Sequence, residues 1–298
     1  DHEVNINIFL NDDVQKKRLS LKERNRLLKS MTDDVAQMVL KHNSDQNLAL
    51  TLEAEDFPSR IYLYQSFIKS AVNQGALNPS VENLPTKSEM EGRLSQKQGL
   101  TRPELAVLLS YSKIILQEHL LTTVIVDSEE FKDFLLKSFP QVMIHKLKHT
   151  LWIHPLRREI IATHLSNTFI NELGLTFLTE LQEECSVSIA DAVSAYVVVR
   201  ELLEVDEILQ AIRANEQHLP FDALLTIYKD FRVFLAQSVR WFLGNRLLDL
   251  TQKRPRLSVF LETAAASISL MPQYLEGPVA KKHHAFYTEL IDHGIRAE

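Results

Sequence analysis

Cysteine, glycine and proline are all scarce in this sequence of 298 residues. It contains one cysteine, seven glycines and ten prolines, whereas an average glycine usage of about 7% would give about 21 glycines. Sandwiches, propellers and collagen-like repeats need many tight turns, so this composition disfavours them. Long helices joined by a few loops fit it better. We therefore predict an all-α fold, a multi-helix bundle of about ten helices with no Rossmann unit.

Targeting and membrane signals are also lacking. The single Cys185 excludes an intrachain disulfide and a cysteine-based zinc site, which favours a reducing, cytoplasmic compartment. The most apolar stretch, residues 105–126, is interrupted by polar and charged side chains, so we expect no membrane span. The chain starts with DHEV and without methionine, which is not a signal peptide. We expect an excerpt from a longer protein.

Nucleotide and nucleic-acid sites are not expected either. The net charge is −6, and no block of lysine and arginine is long enough to follow a phosphate backbone. The seven glycines are too far apart for a GxGxxG or GxxxxGK[ST] loop. The sequence therefore predicts no nucleic-acid partner and no dinucleotide bound by these residues alone.

Helix signals dominate what is present. Thr101 and Glu104 have the spacing of a capping box, with Pro103 in the first turn. Apolar residues recur every three or four positions after it. Gly174 suits the C-cap of another helix. The pattern at 221–250 is apolar over much of its circumference, so we expect this segment to run through the middle of a bundle.

The organisation of the chain follows from one weak region. Residues 75–99 hold two prolines and three glycines among many polar side chains, which is typical of a surface connection. We predict an N-terminal helical arm at 1–75, a long surface connection at 76–98 and a C-terminal helical bundle at 99–298.

Two pairs of side chains are candidates for binding chemistry. His145 and His149 lie four residues apart, which suits a shared metal, but two lysines stand between them and favour a solvated basic face. Arg157 and Arg158 begin a helix, where cations oppose the helix dipole. We expect an acidic partner for them within the protein. The candidates are Glu159 and Glu104.

Several strings, taken in order, resemble the C-terminal region of the large bacterial NAD-specific glutamate dehydrogenases. The resemblance covers nearly the whole chain and is clearest from 99 to 205. Ser110, Ser112 and His164 depart from residues that are frequent in similar proteins, and they leave the pattern intact. The strings are DHEVNI at 1–6, MTDDVA at 31–36, GLTRPELAVLL at 99–109, RREIIAT at 157–163, LQEE at 181–184, AYVVVRE at 195–201 and RW at 240–241.

The resemblance implies a parent enzyme that converts L-glutamate, NAD and water to 2-oxoglutarate, ammonium and NADH. In that family the catalytic residues and the dinucleotide-binding unit lie upstream, so we expect no catalytic, cofactor-binding or metal residue in this chain. The implied partners are the upstream catalytic domain of the same polypeptide and further copies in a homo-oligomer. By this resemblance the segment from Asp1 to Leu10 looks like the final helix of the catalytic domain, so Asp1, His2 and Glu3 are expected near the substrate cleft. The candidates for structural or interface roles are Thr101, Arg102, Glu104, Arg157, Arg158 and Glu159.

Three readings of the function follow. The first is a non-catalytic C-terminal domain that packs on a dehydrogenase and has a structural or regulatory role. The second is a free-standing helical adaptor that binds a protein partner through an apolar groove. The third is a small metal-dependent helical enzyme that uses His145 and His149.

Overall fold

The structure is a computed structural model that describes residues 2–245 and positions 277, 281 and 288, without the side chains of 148 and 149. Over these residues it consists of α-helices, short 3₁₀ turns and irregular segments, with no strand. The prediction of an all-α fold without a Rossmann unit is confirmed for this part of the chain. The helices are α1 His2–Gln15, α2 Leu21–Ser30, α3 Thr32–Asn73, α4 Lys87–Ser95, α5 Arg102–Thr122, α6 Lys132–Leu136, α7 Gln141–Leu151, α8 Arg157–Leu173, α9 Phe177–Cys185, α10 Ile189–Leu202, α11 Val205–Ala214 and α12 Phe221–Gly244.

The chain divides into two compact units, residues 1–190 and residues 191–298. In the first unit α5 packs most extensively on α8, and α3 packs on both of them. The facing side chains form a dry core, in which Leu105, Leu165 and Phe169 are fully buried. The predicted division into an arm, a connection and a bundle stays a prediction.

The start of α5 has the capping geometry that the sequence predicted. The Glu104 amide donates to the Thr101 hydroxyl at 3.4 Å, and the Thr101 amide donates to the Glu104 carboxylate at 2.7 Å. The same carboxylate accepts from Arg93 of α4 at 2.8 and 3.0 Å. The segment predicted as a surface connection therefore contains a helix, and that helix is tied to the start of α5.

Replacing Thr101 with alanine is expected to lower the free energy of unfolding by about 1 kcal/mol, because one helix amide loses its acceptor. Urea denaturation followed by circular dichroism measures the change. Ser110→Ala is the matched control, since Ser110 is exposed in the middle of the same helix. A Thr101→Ala effect no larger than that of Ser110→Ala would contradict the capping role.

The long helix α3 contains a break. Pro58 lies within α3, and Arg60 has non-helical dihedral angles of φ −127° and ψ 17°. Proline removes a backbone donor and clashes with the preceding turn, which kinks a helix that continues past it. Gly174 ends α8 with φ 93°, a conformation in which only glycine avoids steric cost, so the predicted cap is confirmed.

In the second unit α12 does not match its prediction. Phe221, Val233, Phe234 and Trp241 are all exposed, so the expectation that this helix runs through the middle of a bundle is wrong for one face. The part of the predicted bundle beyond residue 245, apart from positions 277, 281 and 288, lies outside the described residues. Among the residues that are described, no helix is both long and apolar enough to cross a membrane.

Candidate functional site

Three histidines from three helices converge at the end of α6, and we call them the histidine cluster. His2 Nδ1 lies 2.8 Å from the Ser138 carbonyl oxygen, and His164 Nδ1 lies 3.0 Å from the Ser138 hydroxyl. His42 Nδ1 lies 3.3 Å from His2 Nε2. The imidazoles of His2 in α1 and His164 in α8 thus both contact Ser138, and His42 of α3 contacts His2.

The hydrogen-bond partners determine the tautomer of His2. A carbonyl oxygen only accepts, so His2 Nδ1 must carry a proton and donate to Ser138. When His2 is neutral, its Nε2 is an acceptor for a proton on His42 Nδ1. The pair therefore keeps both hydrogen bonds when the two rings are neutral.

A fourth histidine, His154, also forms a hydrogen bond with α1. His154 is buried, and its Nε2 donates to the Asn5 carbonyl of α1 at 3.0 Å. Its Nδ1 accepts from the Leu156 amide at 2.9 Å. An amide can only donate, so this arrangement requires a neutral imidazole with the proton on Nε2. The ring also stacks on Phe9, with 5.7 Å between the ring centroids.

Burial is the main cause of the pKa shifts at these rings. It lowers the pKa of His2, although the hydrogen bond to Ser138 opposes this shift. Partial burial of the ring and the neighbouring charges of His2 and Lys41 lower the pKa of His42, although the residue as a whole is exposed. Burial likewise lowers the pKa of His154. All three rings thus favour the neutral form that their hydrogen bonds need.

Lys113 of α5 is a half-buried cation beside the histidine cluster. Burial lowers the pKa of its ammonium group from 10.5 to about 8, and the Asp45 carboxylate opposes this shift. Asp45 also pairs with Lys41, with 3.0 Å between Nζ and Oδ2. The Asp45 carboxylate therefore lies near two lysines, and it compensates the ammonium charge of Lys113 only in part.

Replacing Lys113 with methionine is expected to stabilise the protein near neutral pH by about 1 kcal/mol, after allowance for partial solvent screening. The folded pKa of about 8 lies below 10.5, so the unfolded chain binds this proton more tightly. Stability of the unsubstituted protein therefore rises with pH across that window, and the variant should lack this rise. Urea denaturation as a function of pH measures both effects.

The control for this substitution is Lys69→Met, which removes an exposed lysine of α3. It should leave the pH dependence of stability unchanged. A Lys113→Met protein that is less stable than its parent at neutral pH would show that the ammonium group is well compensated.

The adjacent arginines of α8 share one acidic partner. Arg157 and Arg158 both donate to the carboxylate of Asp127, one guanidinium to each oxygen. The expectation of an acidic partner within the protein is confirmed. The candidates Glu159 and Glu104 are wrong, because Glu159 is exposed on α8 and Glu104 belongs to the α5 cap. A carboxylate from a turn about 30 positions earlier in the sequence could not be identified from local spacing.

Arg158 also caps the C-terminal end of α5. Its Nη2 donates to the carbonyl oxygens of Leu121 and Thr123 at 2.9 and 2.8 Å. The last carbonyls of a helix have no partner within the helix, so a cation there satisfies them and complements the helix dipole. Arg157 lies over the ring of Trp152, with 4.4 Å from Cζ to the ring centroid.

A buried carboxylate on α3 forms a further polar contact. Glu53 is 1% exposed. Its Oε2 accepts from the Tyr64 hydroxyl at 2.6 Å, and its Oε1 accepts from the Leu175 amide at 3.3 Å. This side chain joins two turns of α3 to the segment between α8 and α9.

The other residues singled out from the sequence are spread over the first unit. Arg102 donates to Thr51 and Asn47 of α3 at 3.1 and 3.3 Å. Glu3 is exposed, His2 is buried, and Asp1 lies outside the described residues. The proximity of these first residues to a substrate cleft stays a prediction. His42 and His154 were missed, since nothing in their local sequence distinguishes them from solvated histidines.

Metal and small-molecule features are limited in the described part of the chain. His145 is exposed, and the described residues contain no group of three or more His, Cys, Asp or Glu side chains placed to hold a metal ion. A cavity of about 260 Å³ lies between α3, α5, α8 and α9. Its polar lining residues are Ser70, Gln74, Ser112, Glu118, His119, Thr122, Thr179 and Gln182.

Comparison with known protein families gives two matches along this chain. Residues 97–298, more than half of the chain, match the family described as glutamate dehydrogenase, C-terminal. The chain belongs to this glutamate dehydrogenase family. Residues 1–53 match a second description, bacterial NAD-glutamate dehydrogenase, catalytic domain. The resemblance noted in the sequence is confirmed.

Curated relatives of this glutamate dehydrogenase region carry the name NAD-specific glutamate dehydrogenase. The Pseudomonas aeruginosa and Halomonas elongata proteins are 35% and 30% identical over 99% of this chain. The Mycobacterium tuberculosis protein is 34% identical over 83% of it. The chain spans only 18% of the length of the first two relatives, and the match to the third spans 15% of its length.

The family boundaries divide the contacts described above. We call residues 1–53 the catalytic-domain segment and residues 97–298 the C-terminal region. His2 and His42 lie in the catalytic-domain segment, whereas Ser138 and His154 lie in the C-terminal region. Glu53 is the last residue of the catalytic-domain segment and binds the C-terminal region at Leu175. Buried polar contacts therefore connect the two parts of this glutamate dehydrogenase chain.

Proposed function

We propose that this chain works as part of an NAD-specific glutamate dehydrogenase, which converts L-glutamate, NAD and water to 2-oxoglutarate, ammonium and NADH. The chain itself supplies no catalytic, cofactor-binding or metal residue. Its role is to pack on the catalytic domain of the same polypeptide, to hold the end of that domain in place, and to provide contacts between subunits of a homo-oligomer in the cytoplasm. The free-standing adaptor and the metal-dependent enzyme have no comparable support.

The observation that carries the proposal is the set of buried contacts between the catalytic-domain segment and the C-terminal region. His2 binds Ser138, His154 binds Asn5, and Glu53 binds Leu175. A surface that merely touched the catalytic domain would not need buried, directional hydrogen bonds. The C-terminal region thus restrains the position of the segment that ends the catalytic domain. Residues 1–75 are proposed as that end and an arm, residues 76–98 as a connection, and residues 99–298 as the bundle.

The proposal is tested by measuring NADH formation from L-glutamate and NAD. The 298-residue chain and a polypeptide extended upstream to include the whole catalytic domain are assayed side by side. We expect reduction of NAD by the extended polypeptide and none by the chain alone. Glutamate-dependent NADH formation by the chain alone would overturn the non-catalytic assignment, and an inactive extended polypeptide would overturn the parent activity.

A further inference from the structure

Helix α1 is attached to the C-terminal region by two reciprocal histidine contacts, which we name the α1 clasp. In one, His2 of α1 donates to the Ser138 carbonyl at 2.8 Å. In the other, His154 of the C-terminal region donates to the Asn5 carbonyl of α1 at 3.0 Å. We propose that the α1 clasp is a proton-sensitive switch, which holds α1 while His154 is neutral and the His2–His42 pair carries at most one extra proton, and which releases α1 on further acidification.

The hydrogen bond from the Leu156 amide to His154 would be lost if the imidazole took up a second proton. Nδ1 accepts from the Leu156 amide at 2.9 Å. A proton on Nδ1 would place two N–H groups against each other, since an amide cannot accept. Because the ring is 3% exposed, water does not readily replace the lost partner. Protonation of His154 therefore converts a satisfied buried ring into a charged ring with an opposed donor.

The His2–His42 pair can bind one additional proton without losing a hydrogen bond, but it cannot bind two. If His2 becomes an imidazolium, its Nε2 donates and His42 Nδ1 must accept across the 3.3 Å contact. If both rings are protonated, each nitrogen carries a hydrogen and the bond between them is lost. The pair then places two positive charges side by side.

The charges around these rings do not stabilise full protonation. His154 faces two acids, Asp12 of α1 and Glu159 of α8, yet its pKa remains lowered by burial. His42 faces mainly cations, because Asp45 is its one acidic neighbour among the groups that shift its pKa. The titratable and charged groups that face the His2 side are Lys41, His42, Asp45, Lys113 and His164.

The direction of the switch follows from proton linkage. In the folded protein the pKa values of His2 and His154 lie below the ordinary value of 6.5. Released α1 exposes these rings to water, where they bind protons more readily, so the released state gains protons as the pH falls. The α1 clasp is therefore intact above about pH 7 and weakens progressively on acidification towards about pH 5.

The consequence for the enzyme rests on the proposed function, whereas the α1 clasp itself does not. Because α1 lies in the catalytic-domain segment, release of α1 would loosen the end of the catalytic domain under acidic conditions.

Hydrogen exchange measured by mass spectrometry tests the α1 clasp in the 298-residue chain, with the amino terminus acetylated so that the start of the chain carries no positive charge. Protection of the amides of α1 is compared at about pH 7.5 and about pH 5.5 after correction for intrinsic exchange. We expect α1 to lose about tenfold or more of its protection, in proportion to the pKa difference between the two states, while α5 changes much less. An equal loss in α1 and α5, or no loss in α1, would overturn the proposal.

Two further measurements identify the groups responsible. The double variant His2→Gln/His154→Gln keeps amide donors and cannot be protonated, so its α1 protection should not depend on pH. The matched control His145→Gln, at an exposed histidine of α7, should respond as the unsubstituted chain does. NMR titration of the imidazoles in the unsubstituted chain avoids any folding defect of the variant, and ordinary pKa values near 6.5 for His2 and His154 would refute the switch. None of these measurements uses NADH formation, so their failure is distinguishable from failure of the proposed function.

Discussion

Replacing Glu53 with alanine is expected to lower the free energy of unfolding by about 3–4 kcal/mol, the largest effect of any single substitution considered for this chain. The side chain is 1% exposed and accepts from the Tyr64 hydroxyl and the Leu175 amide. Its removal leaves two buried donors without this acceptor, and it also leaves a cavity. Both terms act on the contact between α3 and the segment that precedes α9.

Urea denaturation followed by circular dichroism measures this effect, and two variants separate its parts. Tyr64→Phe removes one donor and keeps the carboxylate, so its cost should be about 1–2 kcal/mol. Glu55→Ala is the matched control, because Glu55 is exposed two residues further along α3, and its effect should stay within about 0.5 kcal/mol. If Glu53→Ala were no more destabilising than Glu55→Ala, Glu53 would not hold the two family regions together.

Replacing Asp127 with alanine is expected to lower the free energy of unfolding by about 1–2 kcal/mol, since the carboxylate pairs with two arginines but is one-third exposed to solvent. The carboxylate joins Arg157 and Arg158, whose side chains are 23% and 37% exposed. Its removal leaves two adjacent cations in the first turn of α8, where the helix dipole also disfavours positive charge. Arg158 then binds the last carbonyls of α5 without its ion pair to Asp127.

The measurement is again urea denaturation, with Asp133→Ala as control because Asp133 is an exposed aspartate of the neighbouring helix α6. The control should change stability by no more than about 0.5 kcal/mol. Asp127→Asn keeps the shape and removes the charge, so it should recover only part of the loss. Equal effects of Asp127→Ala and Asp133→Ala would contradict the structural role of the arginine pair.

Local rules predicted the parts of the fold that depend on neighbours in sequence. The capping box at Thr101 and the glycine at the end of α8 formed as expected, because each depends on a few consecutive residues. Expectations that required knowledge of distant residues were less successful. Asp127 was not foreseen as the partner of two arginines, and the exposed face of α12 was expected to be buried, because periodicity shows that a face is apolar but not what covers it.

The sequence by itself determined that this protein is helical, where several of its helices begin and end, and which family its strings resemble. Helix caps and apolar periodicity act within one or two turns, so the chain carries this information locally. Only the tertiary structure decided which side chains contact each other. The hydrogen bonds of His2 to Ser138 and of His154 to Asn5 join residues more than 130 positions apart, and no local pattern in the sequence predicts them. Burial shifts proton affinity and removes the water that would otherwise compete for each hydrogen bond, and burial exists only after the helices have packed.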